Sequence, residues 1–395
     1  MRSRAARGSS FPSHMSRHSP VLLPAGTQLR KKHYLCPTEK HQIHTNKIDI
    51  MSQQTAILLI VTGGTICMAQ DPKSGALRPL DFERFNQSVT EGLRPLNLRV
   101  DSIPFNPLID SSDVQPDLWK RIAEIIRENY RRYDGFVVLH GTDTMSFSAS
   151  ALSFMLEGLD KPVIFTGSQL PMGAMRSDAK ENLLTSIEIA AAQQDGHPMV
   201  PEVCVFFEDE LMRGNRTTKI NAEHFDAFHS YNYPALAHAG VHIRYNEHAI
   251  SRPDGSDTLR VHQQINPNIA ILKLFPGITK QTVYSILNIS GLRAVILETF
   301  GSGNAPQQFW LHNALKQATQ RGLIIVNKTQ CSGGSVEMGR YATSLNLVDA
   351  GVLSGQDITT EALVTKLMLL LGEYSDDVDR VRMLLQQNLR GEMTV

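Results

Sequence analysis

Cysteine is scarce in this chain: four residues in 395, Cys36, Cys67, Cys204 and Cys331, far apart and without a C-x-x-C pair. That spacing offers neither a disulfide framework nor a zinc site, and the expectation is free buried thiols in a reducing compartment. No apolar run reaches the length of about eighteen residues that a membrane-crossing helix needs, so no membrane partner is expected. Val21-Leu22-Leu23 is too short for the apolar centre of a signal peptide. Lys-Ser/Thr after a phosphate-binding glycine loop is missing, as is the glycine spacing of a dinucleotide fingerprint. No His, Cys and Asp cluster has metal-ligand spacing, so neither a metal nor another cofactor is expected. An excess of charge is also lacking, with 39 Lys and Arg against 39 Asp and Glu. Nine of those cations but only two of the acids fall in residues 1–50, which leaves the remainder mildly acidic. Such a body argues against nucleic acid as its partner. Internal repeats of 20–50 residues are absent too.

What is present is the composition of a globular protein, 42% hydrophobic and 20% charged, on a chain long enough for two cores. Residues 1–54 are basic and rich in Ser, His and Pro. They read either as a disordered or transit-like extension or as an over-extended start. Met51 is the favoured true start, because Met51-Ser52-Gln53-Gln54 leads straight into the first strand. Beyond it, strand and helix patterns alternate. The run 56–61 is a buried-type strand, and Asp117 to Tyr133 is a helix with Leu118, Ile122, Ile126 and Tyr130 at fourfold spacing. Strand 136–140, helix Phe147 to Leu159, strand Pro162 to Thr166, a helix opened by the capping-box pattern Asp178-x-x-Glu181 and strand Val203 to Phe207 follow. The polar stretch Asn246 to Asn268 reads as a linker. Strands Ile269 to Phe275, Ala294 to Phe300 and Leu323 to Asn327 come next, with helix Thr360 to Leu371 and a terminal helix opened by Asp376-Asp377. The expected fold is α/β: two domains, each a largely parallel sheet flanked by helices, over residues 55–247 and 268–395, joined by 248–267.

Two strand ends carry the chemistry. Val61-Thr62-Gly63-Gly64-Thr65-Ile66 closes the first strand, and His140-Gly141-Thr142-Asp143-Thr144 closes the second. The carboxyl edge of a parallel sheet is where ligands bind. Paired glycines permit a tight turn and close approach of backbone to a ligand. Threonines at both ends, one beside a carboxylate, point to hydroxyl chemistry; a plain βα turn is the bland alternative for either alone.

These segments, with Asp110-Ser111-Ser112-Asp113, Arg213-Gly214-Asn215-Arg216-Thr217-Thr218-Lys219, Gly301-Ser302-Gly303-Asn304-Ala305-Pro306 and Thr329-Gln330-Cys331, resemble the bacterial-type L-asparaginases, in their cytosolic (type I) branch. The likeness runs from about residue 56 to the C-terminus. It implies a cytoplasmic, metal-free amidohydrolase that turns L-asparagine into L-aspartate and ammonia through a threonyl ester. It also implies a homodimer or homotetramer. Thr65 takes the position of the acylated threonine, and Thr142 that of a second hydroxyl suited to activating water, with Asp143 and Lys219 as its proton relay. From residues alone Lys219 is an exposed loop lysine; the resemblance reverses that. Asp110, Ser111, Ser112, Thr142 and Asp143 take substrate-contacting positions, although Asp110 to Ser112 also read as a plain Asx or ST turn before the helix. Asn304 matches a loop that reaches the site across a subunit interface. His140 is given no catalytic role and reads as structural.

Two departures stand out. No tyrosine lies between Cys67 and Leu80, where many relatives carry one near the nucleophile, so Tyr341 is the expected substitute, with a half-buried loop anchor as the alternative. Glu298 stands where some type I relatives carry arginine near an effector pocket, which argues against control by asparagine. The competing readings are an asparaginase-like subunit of a tRNA-dependent amidotransferase and a non-catalytic amino-acid-binding regulator. The acidic body speaks against the first, and the retention of Thr65, Thr142, Asp143 and Lys219 against the second.

Overall fold

The computed structural model describes residues 54–70, 77–79, 97–252, 258–340 and 342–394. The expectations for the 1–50 extension and its Met51 start, for part of the 67–80 loop and for Tyr341 fall outside them.

Strand β1 (Ala56–Gly63) is buried along its whole length. Leu58 and Ile60 enter one core with helices α1 (Pro116–Asn129) and α2 (Met145–Met155). Ile57, Leu59 and Val61 enter another with helix α3 (Ala179–Ala191). Helices on both faces explain why the strand reads as an unbroken apolar run rather than an alternation. β1 runs parallel to β2 (Arg99–Ile109) on one side and β3 (Gly135–Leu139) on the other. β4 (Val163–Thr166) and β5 (Val203–Phe207) continue the parallel set. β6 (Glu210–Arg213), β7 (Ala237–Ala239) and β8 (Ile243–Tyr245) extend it antiparallel. The order across the eight strands is β8-β7-β6-β5-β4-β3-β1-β2. β2 is absent from the sequence expectation because Pro104, Pro107 and its polar residues break the pattern. It lies at the sheet edge, where a missing N–H is tolerated.

The second sheet is all parallel, in the order β9 (Ile269–Lys273), β10 (Ala294–Thr299), β11 (Ile324–Thr329), β12 (Leu353–Ser354). Val295 and Leu297 face a core with helices α4 (Lys280–Leu287) and α5 (Phe309–Gln320). Helix α6 (Ala342–Asp349) packs on α5. Ala294 and Ile296 face the other way, into the core of Leu58 and Ile60. Helix α7 (Thr360–Glu373) buries Leu363, Leu367 and Leu370 there and packs on α2, so the two halves share one apolar core. Among the described residues no helix is long and apolar enough to cross a membrane.

Four local expectations need correction. α1 stops at Asn129 rather than Tyr133: Tyr130 N and Arg132 N bond three residues back, to Arg127 O and Asn129 O, and Lys161 Nζ takes the carbonyls of Tyr130 and Tyr133, each at 2.7 Å. α2 starts two residues early and ends at Met155, since Leu156–Glu157 pairs antiparallel with Arg260–Val261. The same pairing puts a strand inside the stretch expected to be a plain linker. Asp178 makes no cap bond to helix α3. Its carboxylate instead accepts from Gln169 N at 2.9 Å and Leu170 N at 3.1 Å, holding the loop after β4. Asp377 does cap the last helix, α8 (Val378–Leu385), by accepting from Arg380 N.

Candidate active site

Because β1, β2 and β3 run parallel, their carboxyl ends share one edge, and the three loops that follow meet there. Thr62 Oγ1 donates to Leu139 O at 2.9 Å, tying the ends of β1 and β3. Gly64 has φ 84° and ψ 175°, a backbone region reserved in practice for glycine. A Cβ at Gly64 would lie 2.4 Å from Gly141 Cα and 2.5 Å from Gly141 N. The glycines thus admit the neighbouring loop's backbone, where the sequence had pointed to a ligand. Thr65 opens a single 3-10 turn, with Ile66 and Cys67 buried beneath it. Burial pushes the Cys67 thiol up to about 12, which leaves it an inert packing group. The Thr65 side chain is partly exposed and makes no hydrogen bond among the described residues.

The loop after β2 joins these two. Ser111 Oγ accepts from Asp143 N at 3.3 Å, and Thr144 Oγ1 donates to Ser111 O at 2.7 Å. Asp110 accepts from Ser112 N and from Ser112 Oγ, both at 2.9 Å, which holds its carboxyl below the usual range. Asp110 and Ser112 thereby form the Asx turn that was the bland reading, and Ser111 is the member that touches the threonine loop.

Lys219 arrives from further along the chain. After β6 a 3-10 turn (Gly214–Arg216) redirects the backbone, and Thr218–Lys219 pairs with Phe228–His229. Lys219 Nζ lies 2.8 Å from Thr142 Oγ1 and 2.8 Å from Asp143 Oδ1. The lysine is largely covered, whereas the Asp143 carboxylate is 61% exposed. Thr142 Oγ1 also donates to Gln169 Oε1 at 3.4 Å, and Gln169 Nε2 donates to His224 O. Gln169 escaped the sequence reading, although it follows β4, a fourth parallel strand ending at the same edge.

His140 is walled in. Its Nδ1 faces Gly141 O at 2.7 Å, an acceptor, so Nδ1 carries the proton and Nε2 accepts from Ser148 Oγ at 2.9 Å. Trp119 Nε1 donates to the same Ser148 oxygen. Burial lowers the imidazole to about 4, so it is neutral at pH 7 and serves to fix the loop. In the second half, Glu298 meets Lys273 at 3.7 Å and accepts from Thr360 Oγ1. Asn304 closes a turn with Phe300 at the end of β10.

A model of the asparaginase N-terminal domain matches residues 56–251, and one of the glutaminase/asparaginase C-terminal domain matches 268–385. The chain is 44% identical to L-asparaginase 1 of Escherichia coli K12 over 347 residues, 87% of this chain and 99% of that one. The chain belongs to the asparaginase family. L-asparaginase I of Vibrio cholerae has a solved structure that superposes with a TM-score of 0.79 at 42% identity, covering 87% of this chain and all of that one. A human 60 kDa lysophospholipase is 46% identical over 288 residues, which are 73% of this chain and 49% of that longer protein. These likenesses to type I asparaginases set the fold and branch. The site above lies within the first family match, and Thr218, beside Lys219, reaches into the second through the Glu361 carboxylate.

Proposed function

We propose that this asparaginase hydrolyses L-asparagine to L-aspartate and ammonia, without a metal, through an ester on Thr65. The observation that carries the reading is the Lys219 ammonium within 2.8 Å of both Thr142 Oγ1 and Asp143 Oδ1, on the edge where Thr65 offers its hydroxyl. Thr65 Oγ adds to the side-chain amide carbon, the C–N bond breaks, and the proton lost by the hydroxyl leaves with ammonia. Water then adds to the ester carbon as one of its protons is taken, the ester C–O bond breaks, that proton passes to the Thr65 oxygen, and the other leaves with the new carboxyl group of aspartate. Thr142, with Lys219 and Asp143 as its relay, takes and returns the proton of that water. Asp143 and the Ser111 loop hold the ammonium and carboxylate of the amino acid. Tyr341 is assigned to polarise Thr65 on the sequence alone. Asn304 and a homodimeric or homotetrameric assembly, the domain division at 248–267 and a cytoplasmic location belong to the same reading.

Ammonia release from L-asparagine, L-glutamine and D-asparagine, measured side by side with and without chelator, tests it, with a lysophospholipid as the contrasting substrate. The expected result is release from L-asparagine that the chelator leaves unchanged, with an aspartyl adduct trapped on Thr65. Amino-acid binding without turnover would hand the protein to the regulator class.

A further inference from the structure

Lys219 sits on a ladder of only two residue pairs, and so short a pairing cannot fix a side chain by itself. The segment leading to it is held from elsewhere. Asn215 Nδ2 donates to Arg390 O at 2.9 Å, and Arg216 Nε donates to Gly391 O at 2.7 Å. The Arg216 guanidinium also donates to Asp357 Oδ2 at 2.9 Å. Thr394 closes on the same carboxylate, through N at 2.8 Å and Oγ1 at 2.6 Å. Residues 388–394 are in turn nailed down by Glu392, which meets Lys366 of helix α7 at 2.6 Å with both side chains buried. Glu392 also accepts from Leu389 N and Arg390 N, which folds the segment into a turn.

We propose that Asn388–Thr394 is a positioning strap for Lys219. Its carbonyls at 390 and 391 hold the side chains three and four residues before the lysine and so set the approach of Nζ to Thr142 and Asp143. This rests on the role given to Lys219 above. The strap lies beyond residue 385, where the second family match ends. Its fit is close. Gly391 has φ 78°, and a Cβ there would lie 2.3 Å from Arg213 Nη1. That guanidinium is 3% exposed and held by Glu202 through Nε at 2.6 Å and Nη2 at 3.1 Å, so moving it away strains this ion pair.

Gly391→Ala therefore lifts the strap without altering any group at the reacting centre. The expected result is a kcat on L-asparagine reduced by about ten- to a hundredfold with KM little changed, as a displacement near 1 Å produces. The pH profile of kcat, which reports the ionisation of the relay in the substrate complex, should be displaced as well. A folded Gly391→Ala protein whose 388–394 amides exchange faster, yet whose kcat and pH profile match the parent, overturns the proposal. If Gly391→Ala does not fold, Asn215→Ala removes a single bond to the strap. A drop in kcat of about tenfold at constant KM supports the proposal, and an unchanged kcat overturns it. Lys219→Ala separates the two levels. Turnover retained in that variant sinks the role of Lys219, whereas an inactive Lys219→Ala beside a normal Gly391→Ala sinks the strap alone.

Discussion

The threonine loops and the lysine segment meet in one site but are held by opposite means. Thr65 and Thr142 leave adjacent parallel strands, and their loops lock backbone to backbone through Gly64 and Gly141. Neighbouring strands of one sheet, the Thr62 tie to Leu139 and the Ser111 loop place them. Lys219 hangs on ion pairs and carbonyl contacts supplied by residues more than 130 positions away, at Asp357, Glu361, Arg390 and Gly391. A hydroxyl placed by a sheet edge is robust to change elsewhere. A lysine placed by a remote segment inherits every weakness of that segment.

The sharpest way to separate the two is to remove the hydroxyls. Thr65→Ala and Thr142→Ala should each lower turnover by about four orders of magnitude while leaving the melting temperature nearly unchanged, because neither side chain is part of a core. Ammonia release paired with a thermal melt decides this. A Thr65→Ala protein that kept a tenth of the parent's rate would move the nucleophile to Thr142.

The lysine side can be attacked through stability. Lys366→Met leaves Glu392 charged and buried without its partner, at an expected cost of about 3–5 kcal/mol in urea unfolding. Replacing both, as Lys366→Met with Glu392→Leu, should recover only part of that loss, because the Leu389 and Arg390 amides lose their acceptor. Equal stability of the single and double variants would show that the pair does not anchor the strap.

The threonine side has its own breaking point at Gly64. Gly64→Ala places a Cβ on Gly141 in a backbone region alanine avoids, and should cost about 3 kcal/mol or more. Denaturant midpoints would reveal it, and a loss below about 0.5 kcal/mol would mean the loops can part.

The mildest effect concerns acid. His140 binds its proton near pH 4 in the folded protein against about 6.5 when unfolded. The unfolded chain therefore takes up more protons in that window. The stability that neutral His140 contributes is fully present above about pH 6.5 and is lost as pH falls towards 4, by about 3 kcal/mol at most. His140→Gln should flatten this slope; an unaltered slope would assign the acid sensitivity to other groups.

Much of the fold was legible because its strands are buried on both faces and read as apolar runs. β1, β3, β5 and β10 all announced themselves this way. β2 did not, since an edge strand can keep Pro104 and Pro107. The capping-box pattern at Asp178 marked the start of α3 but not its cap bond, because a carboxylate near a helix start can equally bind a neighbouring loop, as it does at Gln169 and Leu170. In the site, the threonines and Asp143 could be found from strand ends. Gln169 follows a further strand end and has no reactive group to mark it. For Lys219 the residues alone gave a surface lysine, and only resemblance argued otherwise.

By itself the sequence determined the alternation of strands and helices, the two glycine-bearing strand ends and the hydroxyls they carry, because each depends on residues close together along the chain. Tertiary structure alone decided that the paired glycines face another loop, that His140 is a neutral buried brace, and that the segment bearing Lys219 is fastened by helix α7 and residues 388–394. Those facts depend on which surfaces the shared core brings into contact and which charges it buries, and no local pattern records that.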